Sequence, residues 1–157
     1  VLFASIFMDI HPLIPKNKIL SYSTPDIYNF LPKDKAAILE IPITYQQYHF
    51  WQSFHHHPIV YGYIWPRGPK KHFMFDLLEQ VYQGEKISLN KIKNKGVKYI
   101  IFHKNWYEHV QDLPPRVKST IKPFKATSLN IYFKDNDLNE LTLLKESENS
   151  YLYEINK

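Results

Sequence analysis

The run Phe54-His55-His56-His57-Pro58-Ile59-Val60-Tyr61-Gly62-Tyr63 holds the densest group of side chains capable of chemistry in this sequence. Pro58 pushes the residue before it toward extended backbone, and the β-branched, aromatic residues that follow suit a strand that Gly62 ends or bends. With His55 to His57 extended, His55 and His57 point to one face and His56 to the other, so two imidazoles could meet a ligand together. A turn with solvated imidazoles is the other reading of the same residues. Beyond them, Trp65-Pro66-Arg67-Gly68-Pro69-Lys70-Lys71-His72 is a basic, aromatic loop, because two prolines and a glycine interrupt any regular element. Loops at strand ends are where binding residues sit. A further strand ends in His103-Lys104-Asn105 and poses the same question. His55, His57, Tyr63, Trp65, Arg67 and His103 are therefore the candidate ligand-binding residues, a polar and aromatic patch at strand ends. Glu40, near the end of another apolar run, is either a functional carboxylate or the partner of a nearby cation or amide.

Several chemistries lack their residues. No glycine-rich phosphate loop, nucleophile elbow, HExxH helix or EF-hand loop occurs, and four glycines leave little for a backbone nucleotide cradle. The absence of cysteine excludes disulfides and thiolate metal sites. No catalytic residue, cofactor or metal is expected in this chain; a small metal enzyme built on the histidines is the third-ranked reading. The net charge of +5 is uneven: Arg67 to Lys125 holds 13 Lys or Arg against five Asp or Glu, and the rest is net acidic. Such a stretch attracts nucleic acid, anionic lipid headgroups or a phosphorylated substrate, or else is a solvated surface.

The elements that must position these residues follow from pattern. Ser23-Thr24-Pro25-Asp26 starts a short helix through Leu31, with Thr24 or Ser23 as cap. Ala36 to Ile41 is an apolar run that reads as a central strand. Thr44 can cap a helix in which Tyr45, Tyr48, Trp51 and Phe54 form an aromatic face. Ile59 to Tyr63 is the second strand. Phe73 to Gln83 is helical and stopped by Gly84, and Ser88 caps a short helix that Gly96 ends. Val97 to His103 is the clearest strand of all. Asn105 caps a turn of helix through Val110, and Pro114-Pro115 starts another through Ile121. Asn130 to Lys134, Glu140 to Leu144 and Ser150 to Ile155 read as antiparallel strands. The sum is a single α/β domain, a mixed sheet with flanking helices and an antiparallel C-terminal part.

Val1 to Phe7 is too short to span a bilayer and lacks the marks of a secretory signal. It reads either as a first strand or as the end of a membrane helix, with a linker from Pro12 to Lys18 before a soluble domain over 19–157. In this context the order of several segments resembles a family. These are Ile27-Tyr28-Asn29-Phe30-Leu31, Ala37-Ile38-Leu39-Glu40-Ile41-Pro42, Phe54-His55 with Pro58-Ile59-Val60-Tyr61-Gly62-Tyr63, Gly96-Val97-Lys98-Tyr99-Ile100-Ile101-Phe102-His103 and Tyr151-Leu152-Tyr153-Glu154-Ile155. Together they resemble the C-terminal extracytoplasmic domain of polytopic GT-C type glycosyltransferase-like membrane proteins, relatives of dolichyl-phosphate-mannose-protein mannosyltransferases. That resemblance implies a membrane-associated, extracytoplasmic and noncatalytic domain. Its partners would be its own transmembrane region and a glycan or polyprenyl-phosphate lipid. The matching positions are His55, Pro58, Gly62, Tyr63, Gly96 and His103; Lys98 stands where relatives often have Arg, and His56-His57 departs from their usual small and basic pair. A basic nucleic-acid-binding module is the second reading.

Overall fold

The computed structural model describes residues 24–43, 47–60, 73–106 and 124–156. Ala37–Ile41 forms β1 and Val97–His103 forms β2, paired in parallel. A parallel pair needs a crossover. Among the described residues three helices lie along it: α1 (Gln47–His55), α2 (Phe73–Tyr82) and α3 (Leu89–Lys93). After β2 come α4 (Asp135–Leu138), β3 (Leu141–Glu146) and β4 (Ser150–Ile155). The strand order is β1-β2-β4-β3, with β4 antiparallel to both neighbours. This is the mixed α/β sheet with flanking helices that the sequence pattern predicts. Among the described residues no helix is long and apolar enough to cross a membrane.

Register decides which side chains meet. Glu40 pairs with Ile101 and Ile101 with Leu152, so these three share a sheet face, which Tyr99, His103 and Ser150 extend at either end. Leu39, Ile41, Ile100, Phe102, Tyr151 and Tyr153 lie on the other face. Tyr28, Tyr48 and Trp51 close over the first face and are buried with it, while Leu129 and Leu138 stand beside Phe102 and Tyr151 on the second. The edges of the sheet differ from its centre. Ile59 makes a single parallel bridge to Ile38 outside β1, and the pairing of β3 with β4 shifts register between Leu143 and Lys145.

Four sequence expectations need correction. The segment after Pro25 is a 3-10 helix, Asp26–Phe30, and Pro25 itself takes the cap position with no side-chain bond. In α1, Tyr48 and Trp51 are buried but Phe54 is 55 % exposed. A step of three residues falls roughly 60° short of a full turn, so a three-residue repeat leaves the face by its third member. His55, seven residues from Tyr48 and only about 20° from it around the helix, takes the inward position. Asn130 to Lys134 is not a strand: Leu129–Ile131 is a 3-10 turn, and only Phe133 bridges, to Ile87. Tyr132 closes that turn with a helical backbone, φ −98° and ψ −37°, and both it and Phe133 are buried. Ser88 sits at the start of α3 without a capping bond; the Leu89 amide donates instead to Asp137 Oδ2 at 3.2 Å, a cap borrowed from α4. The expectations for Val1 to Lys18, for the Thr44 cap and Tyr45, for Tyr61 to His72 and for the helices after Asn105 and Pro114 fall wholly or mainly outside the described residues.

Gly96 enters β2 with φ +81°, a left-handed conformation that an L side chain resists. No neighbour lies within 4 Å of an added Cβ, so the penalty is one of backbone alone. Gly96→Ala is expected to lower stability by about 1 kcal/mol, seen as a lower urea midpoint at unchanged slope. An unchanged midpoint would show that this φ is not held in solution.

Candidate functional site

Glu40 is the one acidic residue in β1, and its position on the sheet buries it completely, at 0 % exposure. A carboxyl there must find donors. The Tyr28 hydroxyl, carried by the 3-10 helix, donates to Oε2 at 2.5 Å, and His103 Nε2 lies 3.2 Å from the same oxygen. His103 is the last residue of β2 and pairs directly with Ser150, the first of β4. That pairing brings Ser150 Oγ to 2.8 Å from His103 Nδ1. A single line of polar contacts thus ties the 3-10 helix, β1, β2 and β4 together at one end of the sheet.

The histidine junction joins this line from α1. His56 adopts φ +59°, and its amide still donates to the Gln52 carbonyl at 2.8 Å, so the helix ends in a left-handed residue there. The expectation of an extended His55 to His57 is therefore corrected. The reversal nevertheless turns His55 and His57 inward and leaves His56 exposed, the same sorting by a different backbone. The His57 amide donates to His55 Nδ1 at 3.1 Å. A ring nitrogen that accepts has no proton, so neutral His55 carries its hydrogen on Nε2, which lies 3.9 Å from Glu40 Oε1. Neither atom has a hydrogen-bond partner among the described residues. His57 does not reach Glu40; its Nδ1 lies 2.9 Å from the Ala36 carbonyl, at the edge of β1.

Aromatic rings seal the cluster. Tyr28 stacks on His55 at 4.8 Å, Trp106 stacks on His103 at 4.2 Å, and Tyr48 lies 5.4 Å from His103. Burial then sets the protonation. Glu40 is pushed up to about 8 by loss of water, a rise that the Tyr28 hydrogen bond only partly opposes. Burial also drives His103 down to about 3 and His55 down to about 4, the latter helped by its two histidine neighbours. Near neutrality the cluster is therefore an acid among neutral imidazoles. Its proton has an acceptor in His103 Nε2, whose Nδ1–H then donates to Ser150 Oγ.

The chemistry open to this arrangement is narrow. Ser150, His103 and Glu40 form a hydroxyl, imidazole and carboxyl line, but all three are buried, so a substrate has no approach to the hydroxyl. Metal ligation by His55 Nε2 would require that nitrogen to lose its proton and the His57 amide contact to break; among the described residues no group of three or more ligands is placed to hold a metal ion. What the line does well is lock strand ends in register. Of the candidate ligand residues, the structure brings His55 and His103 together on Glu40, sets His57 beside them against β1, and leaves Tyr63, Trp65 and Arg67 outside the described residues. Tyr28 and Ser150 escaped the sequence reading; the signal that pointed this way was Glu40 itself, an acidic side chain inside an apolar run. Compared with known proteins, the chain matches no protein-family model, no curated protein and no solved structure.

These shifts give stability a shape in pH. Glu40 binds a proton more tightly folded than unfolded, so it destabilises as pH rises from about 4.5 to about 8. His55 and His103 bind one less tightly folded, so stability falls as pH drops below about 6.5. Between these limits two histidines outweigh one carboxyl, and stability should peak near pH 6.5, measured by urea unfolding across pH. Glu40→Gln should flatten the alkaline limb and steepen the acid one between about pH 4.5 and 6.5, where the carboxyl opposes the histidines. Glu40→Ala, which strands the Tyr28 and His103 groups, should cost about 3 kcal/mol; a loss under half of that would show the cluster to be wet.

Proposed function

We propose that this chain is a noncatalytic, extracytoplasmic domain of a membrane-bound, GT-C type glycosyltransferase-like protein, assisting recognition of its acceptor or lipid phosphate. The observation that carries the reading is where the cluster sits. His55 and His103, two positions of the family resemblance, meet on Glu40 at the carboxyl ends of the parallel strands β1 and β2. In open α/β sheets that edge presents the loops that bind ligands. A dry clamp of neutral groups beneath it supports a platform role, because it fixes strand ends without exposing a reactive group. The basic, aromatic segment with Tyr63, Trp65 and Arg67 follows directly from the clamped junction in sequence. Its residue types suit a phosphate beside an apolar chain or sugar.

Two measurements test this. The coding sequence upstream of Val1 is expected to encode several apolar spans of about 20 residues; a start codon at Val1 would overturn the parentage. The chain itself is expected to cosediment with phosphatidylcholine vesicles containing polyprenyl phosphate more than with plain ones, a preference that Trp65→Ala combined with Arg67→Ala abolishes. Equal retention on both vesicles overturns the recognition role. Binding to duplex DNA that falls steeply with salt would favour the nucleic-acid reading instead.

A further inference from the structure

The sheet face turned away from the Glu40 cluster holds an open groove of about 310 Å³. Its floor is aromatic. Phe102 of β2 stands beside Tyr151 of β4 with ring centroids 6.2 Å apart and planes 26° from parallel, and Tyr153 continues the row at 6.4 Å and 29°. The register produces this row: Phe102 pairs with Tyr151, and Tyr153 lies two residues further along the same strand face. Phe102 is buried, whereas both tyrosines are only half-buried and keep ring surface in the groove.

The rim is polar. Lys104 follows the end of β2, and Thr127 and Ser128 come from the chain across the groove. The Ser128 hydroxyl makes no capping bond, and among the described residues neither the Lys104 ammonium nor the Thr127 hydroxyl has a protein partner. Tyr153 is held above the usual phenol range by burial and by Tyr151 and Glu146 nearby, so its hydroxyl stays a donor at every ordinary pH. A flat aromatic floor with hydroxyl and ammonium donors at its margin matches a ligand that is apolar on one face and ringed by hydroxyls. A volume at the small end of ligand sites suits a compact ring rather than an extended chain.

We propose that this groove binds a pyranose ring of a glycan, its C–H face on Tyr151 and Tyr153 and its hydroxyls on Lys104, Thr127 and Ser128. Aromatic faces gain from such contact because the ring buries apolar C–H surface while every hydroxyl keeps a partner. A fatty chain would leave the rim donors unmatched, and an isolated phosphate would leave the floor unused. The choice of a sugar rests on the membrane-glycosyltransferase reading, in which it would be the acceptor; the groove and its free donors stand independently of that parentage.

The test is saturation-transfer NMR on the full chain with methyl glycosides of a hexose, an N-acetylhexosamine and a hexuronic acid as probes. At least one is expected to bind at millimolar concentration, with transfer concentrated on the C–H protons of one ring face. Tyr151→Leu, which keeps the apolar packing, should weaken it roughly tenfold, as loss of one stacked ring predicts. Ser128→Ala and Lys104→Met should weaken it by smaller factors, and Leu144→Ser, outside the groove, should not. No binding by any probe, or binding that Tyr151→Leu and Tyr153→Leu both leave unchanged while the fold is intact by circular dichroism, overturns the proposal. Loss of the upstream membrane spans together with Tyr151-dependent sugar binding would overturn the parentage and leave the groove standing.

Discussion

A carboxyl group without water is the constraint around which this domain is arranged. Glu40 occupies a position that an aliphatic residue would fill at no electrostatic cost, so its neighbours must compensate. Tyr28 and His103 do so through one oxygen, and Ser150 completes the hydrogen bonding of His103 from the next strand. Each of these groups is delivered by a different element. The register of β1 on β2 and of β2 on β4, the placement of the 3-10 helix and the end of α1 must all be correct together for the site to be satisfied. A polar cluster of this kind adds little net stability compared with well-packed hydrocarbon, but it penalises alternatives, because a strand slip of one residue would carry Glu40 to the opposite face.

The two sheet faces accordingly do different work. One is dry and polar at its end, lined by stacked rings that exclude water from ionisable groups. The other is aromatic and open between β2, β4 and the 3-10 turn. β2 serves both faces at once, since consecutive residues Phe102 and His103 point opposite ways. The groove floor and the buried clamp are thus adjacent along one backbone, and a disturbance of His103 would be transmitted to Phe102 without any intervening side chain.

Legibility in the sequence followed the range of the interactions. β2 was readable residue by residue because Gly96 marks its start and five of its seven residues, Val97, Tyr99, Ile100, Ile101 and Phe102, favour extended, buried structure; β4 was readable for similar reasons, as was the stop of α2 before Gly84. Asn130 to Lys134 misled because its aromatic and β-branched content favours a strand, while Leu129–Ile131 forms a 3-10 turn that Tyr132 closes in a helical conformation. The Phe54 error came from counting threes along a helix that repeats every 3.6 residues. The contacts of the cluster could not be assembled beforehand. Its members are separated by 12 residues between Tyr28 and Glu40, 63 between Glu40 and His103 and 47 between His103 and Ser150, and no local pattern relates them. His55 and His103 could be named as candidates and Glu40 as an acid in an apolar run, but not their meeting, and the inward turn of His55 depended on a left-handed His56 that nothing in the triplet announces.

The irregularities at the sheet margins have a further consequence. A four-stranded sheet has two outer strands, each a template on which another chain could pair. Beyond β1, residues 58 to 60 occupy the edge: the Ile38 amide donates to the Pro58 carbonyl and the Val60 amide to that of Ile38. Along β3, where no described strand pairs the outer edge, the register shift between Leu143 and Lys145 breaks the straight row of amides and carbonyls a newcomer would need. Charged Lys145 and Glu146 sit at the same place. In a chain whose β3 also exposes Leu143 and Leu144, that bulge makes edge-to-edge pairing between copies less favourable than a straight edge would.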